Sequence, residues 1–130
     1  MKRLVATLAL ATVALAAAAC SSTSAGDGAA VPSAGPADPN APVIVARDLQ
    51  FTTRDVQVPA GKAFQLTFTN AEGAPHNVAI YTDSSASTNL FRGEIFSNAT
   101  KTAEVPALAA GSYFFRCDVH PEMQGTITAK

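Results

Sequence analysis

The sequence predicts an all-β domain, an antiparallel two-sheet sandwich of seven to eight short strands. Three observations point there. Apolar and polar residues alternate over short runs, the period of a strand with one wet face. β-Branched and aromatic residues gather in those runs, and Gly, Pro, Asn and Asp separate them. Beyond residue 43 no stretch holds a helical period long enough for a convincing helix.

The chain opens Met1-Lys2-Arg3, runs apolar from Leu4 to Ala19, and reaches Cys20. A basic end, a short apolar core and small residues before a cut predict a signal peptide over residues 1–19. The run is too short and too Ala-rich for a comfortable membrane span. Leu15-Ala16-Ala17-Ala18-Ala19-Cys20 resembles a bacterial lipobox, with Ala17 where Leu is usual. That resemblance implies a lipid on Cys20 and a chain anchored to the cell membrane, facing the periplasm or the cell exterior. Without the lipid, the product would be soluble and periplasmic. Removing residues 1–19 takes two of nine basic residues and none of ten acidic ones, so a formal charge of −1 becomes −3. No basic run remains, which excludes nucleic acid as a natural partner.

Residues 20–42 are almost all Ser, Ala, Gly, Pro, Asp and Asn, with Val31 the one large apolar side chain. Such a segment cannot bury enough surface to offset its ordering entropy, so a flexible tether is expected. Residues 43–130 then form one domain, sufficient for a single core. Val43-Ile44-Val45 and Leu49 to Phe51 read as a first strand or pair. Asp55 to Val58 follows and stops at Pro59-Ala60-Gly61. Phe64, Leu66 and Phe68 alternate with Gln65, Thr67 and Thr69 in the clearest strand. After the loop Ala71 to Pro75, His76 to Tyr81 reads as a strand with Val78 and Ile80 facing inward. Asp83 to Gly93 is a polar connection from which Leu90 and Phe91 return to the core. Glu94 to Phe96 and Thr102 to Val105 are weak strands, and Ala107 to Ala110 could form one helical turn. Tyr113, Phe115 and Cys117 share a face of a strong strand, and Gly125 to Ala129 closes the chain.

Chemistry concentrates in Cys117-Asp118-Val119-His120-Pro121-Glu122-Met123, a Cys-x-x-His-x-x-Met loop. Thiolate, imidazole and thioether are soft or borderline ligands that select copper over magnesium, calcium or manganese. Two His and one Cys in a plane with a weak axial Met make the blue-copper electron-transfer arrangement. The second His must be His76, since no other histidine exists. Strand ends of a sandwich can bring these residues together. Bonds of about 2 Å require the His76 imidazole and the Cys117 thiol to lie well within a nanometre of each other. A Cys20–Cys117 bridge is not expected, because lipidation would consume Cys20 and Cys117 stands three residues before a His.

Other chemistries fit less well. Structural zinc wants four strong ligands, and Met is a poor one. Nucleophilic catalysis by Cys117 with a His base would leave Met123 without a role. Copper-dependent catalysis would need further copper ligands, and no third histidine exists to supply them. An enzyme is therefore not expected.

Pro75-His76-Asn77-Val78 and the segment Gly111 to Met123 resemble the two signature segments of the cupredoxins, small blue-copper proteins. The short ligand loop, with Pro directly after His, is most similar to the amicyanins; plastocyanins space Met further on. The resemblance implies a Greek-key sandwich holding one copper ion. His76, Cys117 and His120 would lie in the plane and Met123 on the axis. It implies that Asn77 ties the His76 loop to the Cys117 loop, and that electrons pass through the edge of His120 to redox protein partners. A monomer is expected. Copper delivery or storage is the alternative. Glu122 stands where amicyanin-like loops carry an apolar residue, and Val119 where they carry Pro, so partner choice does not transfer.

Overall fold

The structure, a computed structural model, describes residues 38–130. Nine strands form two sheets. In chain order they are β1 (Val43–Arg47), β2 (Gln50–Phe51), β3 (Asp55–Val58), β4 (Phe64–Asn70), β5 (Ala79–Tyr81), β6 (Asn89–Arg92), β7 (Ala99–Val105), β8 (Gly111–Arg116) and β9 (Gln124–Ala129). One sheet runs β2-β1-β4-β7 and the other β3-β9-β8-β5-β6. Among the described residues there is no helix.

The expected face assignments hold where alternation was clear. Phe64, Leu66, Phe68 and Asn70 are buried, and the residues between them are half-exposed. Val56 and Val58 point inward while Asp55 and Gln57 are exposed. Leu90 and Phe91 pack against the core. Phe51 joins the two layers, with its ring 6.0 Å from Phe68 in its own sheet and 5.3 Å from Phe115 in the other.

Several expectations need correction. The sheets are mixed: β1 pairs parallel with β4, and β3 parallel with β9. Alternation fixes which face is buried and is blind to strand direction, so it could not reveal this. There are nine strands instead of seven or eight: the expected polar connection from Asp83 to Gly93 contains β6, which pairs with β5, and the first strand or pair is two strands that separate at a turn through Asp48 and Leu49, both at positive φ. The strand expected from His76 starts only at Ala79; His76 instead exchanges two backbone hydrogen bonds with Phe96, each 3.1 Å. That isolated bridge is the only pairing within Glu94 to Phe96, and Ala107 to Ala110 makes no helical turn. Residues 38–42 run beside β4, where the Thr67 N–H donates to Pro42 O at 3.0 Å. The signal segment, Cys20 and the expected tether as far as residue 37 lie outside the described residues.

The ligand loop ends in β9, and Gly125 there has no room for a side chain. A Cβ would run into Arg54 O and the Phe115 ring. The backbone cannot retreat easily, because the Thr126 N–H donates to that same carbonyl at 2.7 Å. Gly125→Ala is expected to destabilise the domain by about 1–3 kcal/mol through overpacking. Urea unfolding measures it, and an unchanged midpoint would refute the close approach.

Candidate metal centre

β8 delivers Cys117 on its inward-facing parity, following Tyr113 and Phe115, and the thiol is fully buried. The chain then turns back at once. The Met123 N–H donates to His120 O at 2.9 Å, and the Cys117 N–H donates to Met123 O at 2.9 Å. These two bonds close the loop, carry Met123 into the core at 2% exposure, and return the chain to β9. His120 is left partly exposed between the exposed Val119 and Pro121.

His76 arrives from the other layer on the loop after β4. Asn70, itself buried, organises that loop. Its amide donates to Ala74 O at 2.8 Å and to Phe96 O at 2.7 Å, and its Oδ1 accepts the Glu72 N–H at 3.0 Å. The His76 ring is fully buried, with Nδ1 3.7 Å from Cys117 Sγ and 3.1 Å from His120 Nδ1. Ligand atoms of His76, Cys117 and His120 all lie within 4.8 Å of one another. His76 and Cys117 thus meet with room to spare.

On its far side the His76 ring is held by Glu72, whose Oε1 lies 2.7 Å from Nε2. Glu72 also accepts the Leu49 N–H at 3.1 Å. Partial burial pulls the Glu72 carboxyl up, but the Leu49 N–H and the His76 ring outweigh it and leave it below its ordinary value. An ionised carboxylate there keeps the proton on Nε2, so His76 turns a bare Nδ1 lone pair into the site.

The family described as "Cupredoxin-like domain" matches residues 7–129. The chain belongs to the cupredoxin-like family. This cupredoxin is 32% identical over 82 residues to amicyanin-alpha of Methylorubrum extorquens, a match covering 63% of this chain. It spans 66% of that relative's length, just under two thirds. Among solved structures it is similar to amicyanin from Paracoccus versutus, with TM-score 0.57 and 28% identity over 72% of this chain and 85% of that one. Auracyanin from Roseiflexus castenholzii has the same fold, with TM-score 0.60 and 19% identity over 68% of this chain and 94% of that one.

The cupredoxin's donor set fits one soft or borderline metal ion. Two Nδ1 atoms and a thiol face one point, and their spacings of 3.1 and 3.7 Å bracket the roughly 3.3–3.6 Å that bonds of about 2.0–2.3 Å give in a tetrahedral frame. Met123 supplies a thioether from the same loop.

Asn77 joins the two ligand segments. Its Oδ1 accepts the Asp118 N–H at 2.8 Å, and its amide donates to Asp118 Oδ2 and Gly93 O, each at 3.2 Å. Three neighbours escaped the sequence reading. Glu72 stands four residues before His76, in a stretch whose sequence predicts only a loop. Asp118 lies inside the Cys-x-x-His-x-x-Met loop, at a position the ligand pattern leaves open. Phe96 holds the His76 backbone from a segment read as a weak strand. The spacing of Glu72 from His76 was the one available signal, and a loop gives such spacing no directional meaning.

Glu72→Ala is expected to weaken metal binding roughly 10–100-fold, the usual cost of losing the partner that orients a ligating His. Competition against a chelator measures it. An affinity equal to that of the unaltered chain would show that Glu72 does not orient His76.

Proposed function

We propose that this cupredoxin is a blue-copper electron carrier, a monomer and not an enzyme, that passes single electrons between redox proteins outside the cytoplasm. His76, Cys117, His120 and Met123 would hold one copper ion. Copper supplies the one-electron couple, and the protein supplies a frame that scarcely rearranges. The observation that carries this reading is the burial of the donors. His76, Cys117 and Met123 are between 0% and 2% exposed, and each is fixed by hydrogen bonds or packing that do not involve a metal. A fixed frame suits electron exchange, because little has to reorganise when the charge changes. Delivery or storage of copper would favour ligands that can open. His120, the one partly exposed ligand, is then the edge through which electrons pass.

Electron self-exchange measured by NMR line broadening in mixtures of the two redox forms tests the carrier reading. Fast exchange is the expected result. Slow exchange together with rapid handover of copper to an apo acceptor would favour delivery. The lipobox-like run before Cys20 supports a membrane-tethered lipoprotein. Mass spectrometry of the exported protein should find a lipid-modified Cys20 as the first residue, and an unmodified Cys20 or a later start would overturn that attachment.

A further inference from the structure

Asp118 follows Cys117 directly, and its side chain turns to the outer face of the five-stranded sheet. There it meets four partners. Its carboxylate accepts the Tyr81 hydroxyl at 2.5 Å and the Asn77 amide at 3.2 Å, and it pairs with Arg92 Nε at 2.9 Å. Arg116 Nε stands 3.8 Å away, buried and without a hydrogen-bond partner among the described residues. The Arg116 guanidinium lies over the Tyr81 ring, 5.1 Å from its centroid. Arg92 also reaches the Tyr81 hydroxyl at 3.4 Å.

The placement follows from register. Ala79 of β5 stands opposite Arg92 on one side and Arg116 on the other. The small Ala79 side chain leaves a trough between the two arginines, with Tyr81 further along the same strand face. Asp118 reaches into that trough from the end of β8. The Asp118 side chain is only 20% exposed, so its charge is poorly screened from the adjacent thiolate. Arg92 is 61% exposed, so much of its counter-charge is lost to solvent.

We infer that Asp118, Arg92 and Arg116 form a charge clasp that sets the reduction potential of the centre from behind the Cys117 sulfur. Asp118 is a positioning residue: its backbone and carboxylate are both held by Asn77, which fixes the direction in which Cys117 presents its sulfur. Its negative charge also favours the more positive, oxidised state of the centre, and the arginines offset part of that bias. A purely structural brace would have no sign. This clasp has one, and it differs for its two halves.

The inference rests on the copper reading, and the test separates the two. Asp118→Asn keeps the shape and removes the charge. It should raise the potential, on the order of a tenfold change in the preference for the reduced form, or about 59 mV for a one-electron couple. Arg92→Gln should lower the potential by less, and Arg92→Lys should return it close to that of the unaltered protein. A double variant should fall between the two single ones. Shifts of the same sign in Asp118→Asn and Arg92→Gln, or no shift in either, would overturn the clasp. The copper-free protein gives a second readout. Thermal midpoints of the two single variants and the double should be non-additive, as expected for residues in contact. Additive midpoints would also overturn it. Failure of the unaltered protein to bind copper would defeat the copper reading instead, and the copper-free cycle would still decide whether the clasp exists.

Discussion

Cys117→Ala is expected to abolish the visible colour of the copper-loaded protein completely. Intense absorption in such a centre needs a sulfur that donates charge into copper(II), and Cys117 is the one thiol in the described domain. The substitution should leave the fold intact, because it removes a single buried sulfur in a site framed by backbone hydrogen bonds. It should cost about 1 kcal/mol of stability in the copper-free form. The visible spectrum and a thermal melt of one sample measure both effects. Met123→Leu makes the contrasting case. It should keep the colour and move the potential, since the axial ligand tunes the couple without generating the band. Blue colour in the Cys117 variant would mean that another group binds the metal.

Phe115→Ala is expected to be the most destabilising single truncation in the domain. The ring is fully buried on β8, two residues before Cys117, and packs on Phe51 across the sandwich. Removing a buried Phe side chain costs about 3–5 kcal/mol, a large part of the total stability of a domain this size. The midpoint of thermal unfolding should fall by roughly 15–30 °C. The truncation should also loosen the metal site, because β8 positions both Cys117 and Asp118. Combined with Gly125→Ala, the loss should be less than additive. The missing ring removes one of the two groups that a Cβ at residue 125 would meet. Strict additivity would show that the Gly125 contact with Phe115 carries no energy.

Much of the arrangement is legible in the sequence. Phe64, Leu66 and Phe68 announce a buried face by their spacing, and so do Tyr113, Phe115 and Cys117. Period-two alternation is a local signal and survives folding unchanged. Strand direction is a long-range property, and the parallel pairing of Val43–Ala46 with Thr67–Asn70 has no local signature. The convergence of His76, Cys117 and His120 is legible for a different reason. Only two histidines exist, so chemistry left no choice of partner for His120. Residues behind the ligands were another matter. Glu72, Tyr81 and Arg92 meet His76 or Asp118 only because a loop and two strand edges converge. Apart from the four-residue spacing of Glu72 from His76, nothing in their own surroundings along the chain distinguishes them from ordinary surface or core residues. His76 itself was expected to open a strand, yet its backbone is committed to Phe96 instead. That bridge turns the loop inward and lets a buried imidazole face a thiol from the opposite strand end.

The central claim is that four side chains hold a single copper ion through a strong bond to the Cys117 sulfur. Titration of the metal-free protein with copper(II), followed by visible absorption and electron spin resonance, tests it most directly. The account predicts an intense red-region band that saturates at one equivalent, with the narrow copper hyperfine splitting of a thiolate-bound centre. A colourless protein that takes up copper with an ordinary tetragonal resonance would contradict it.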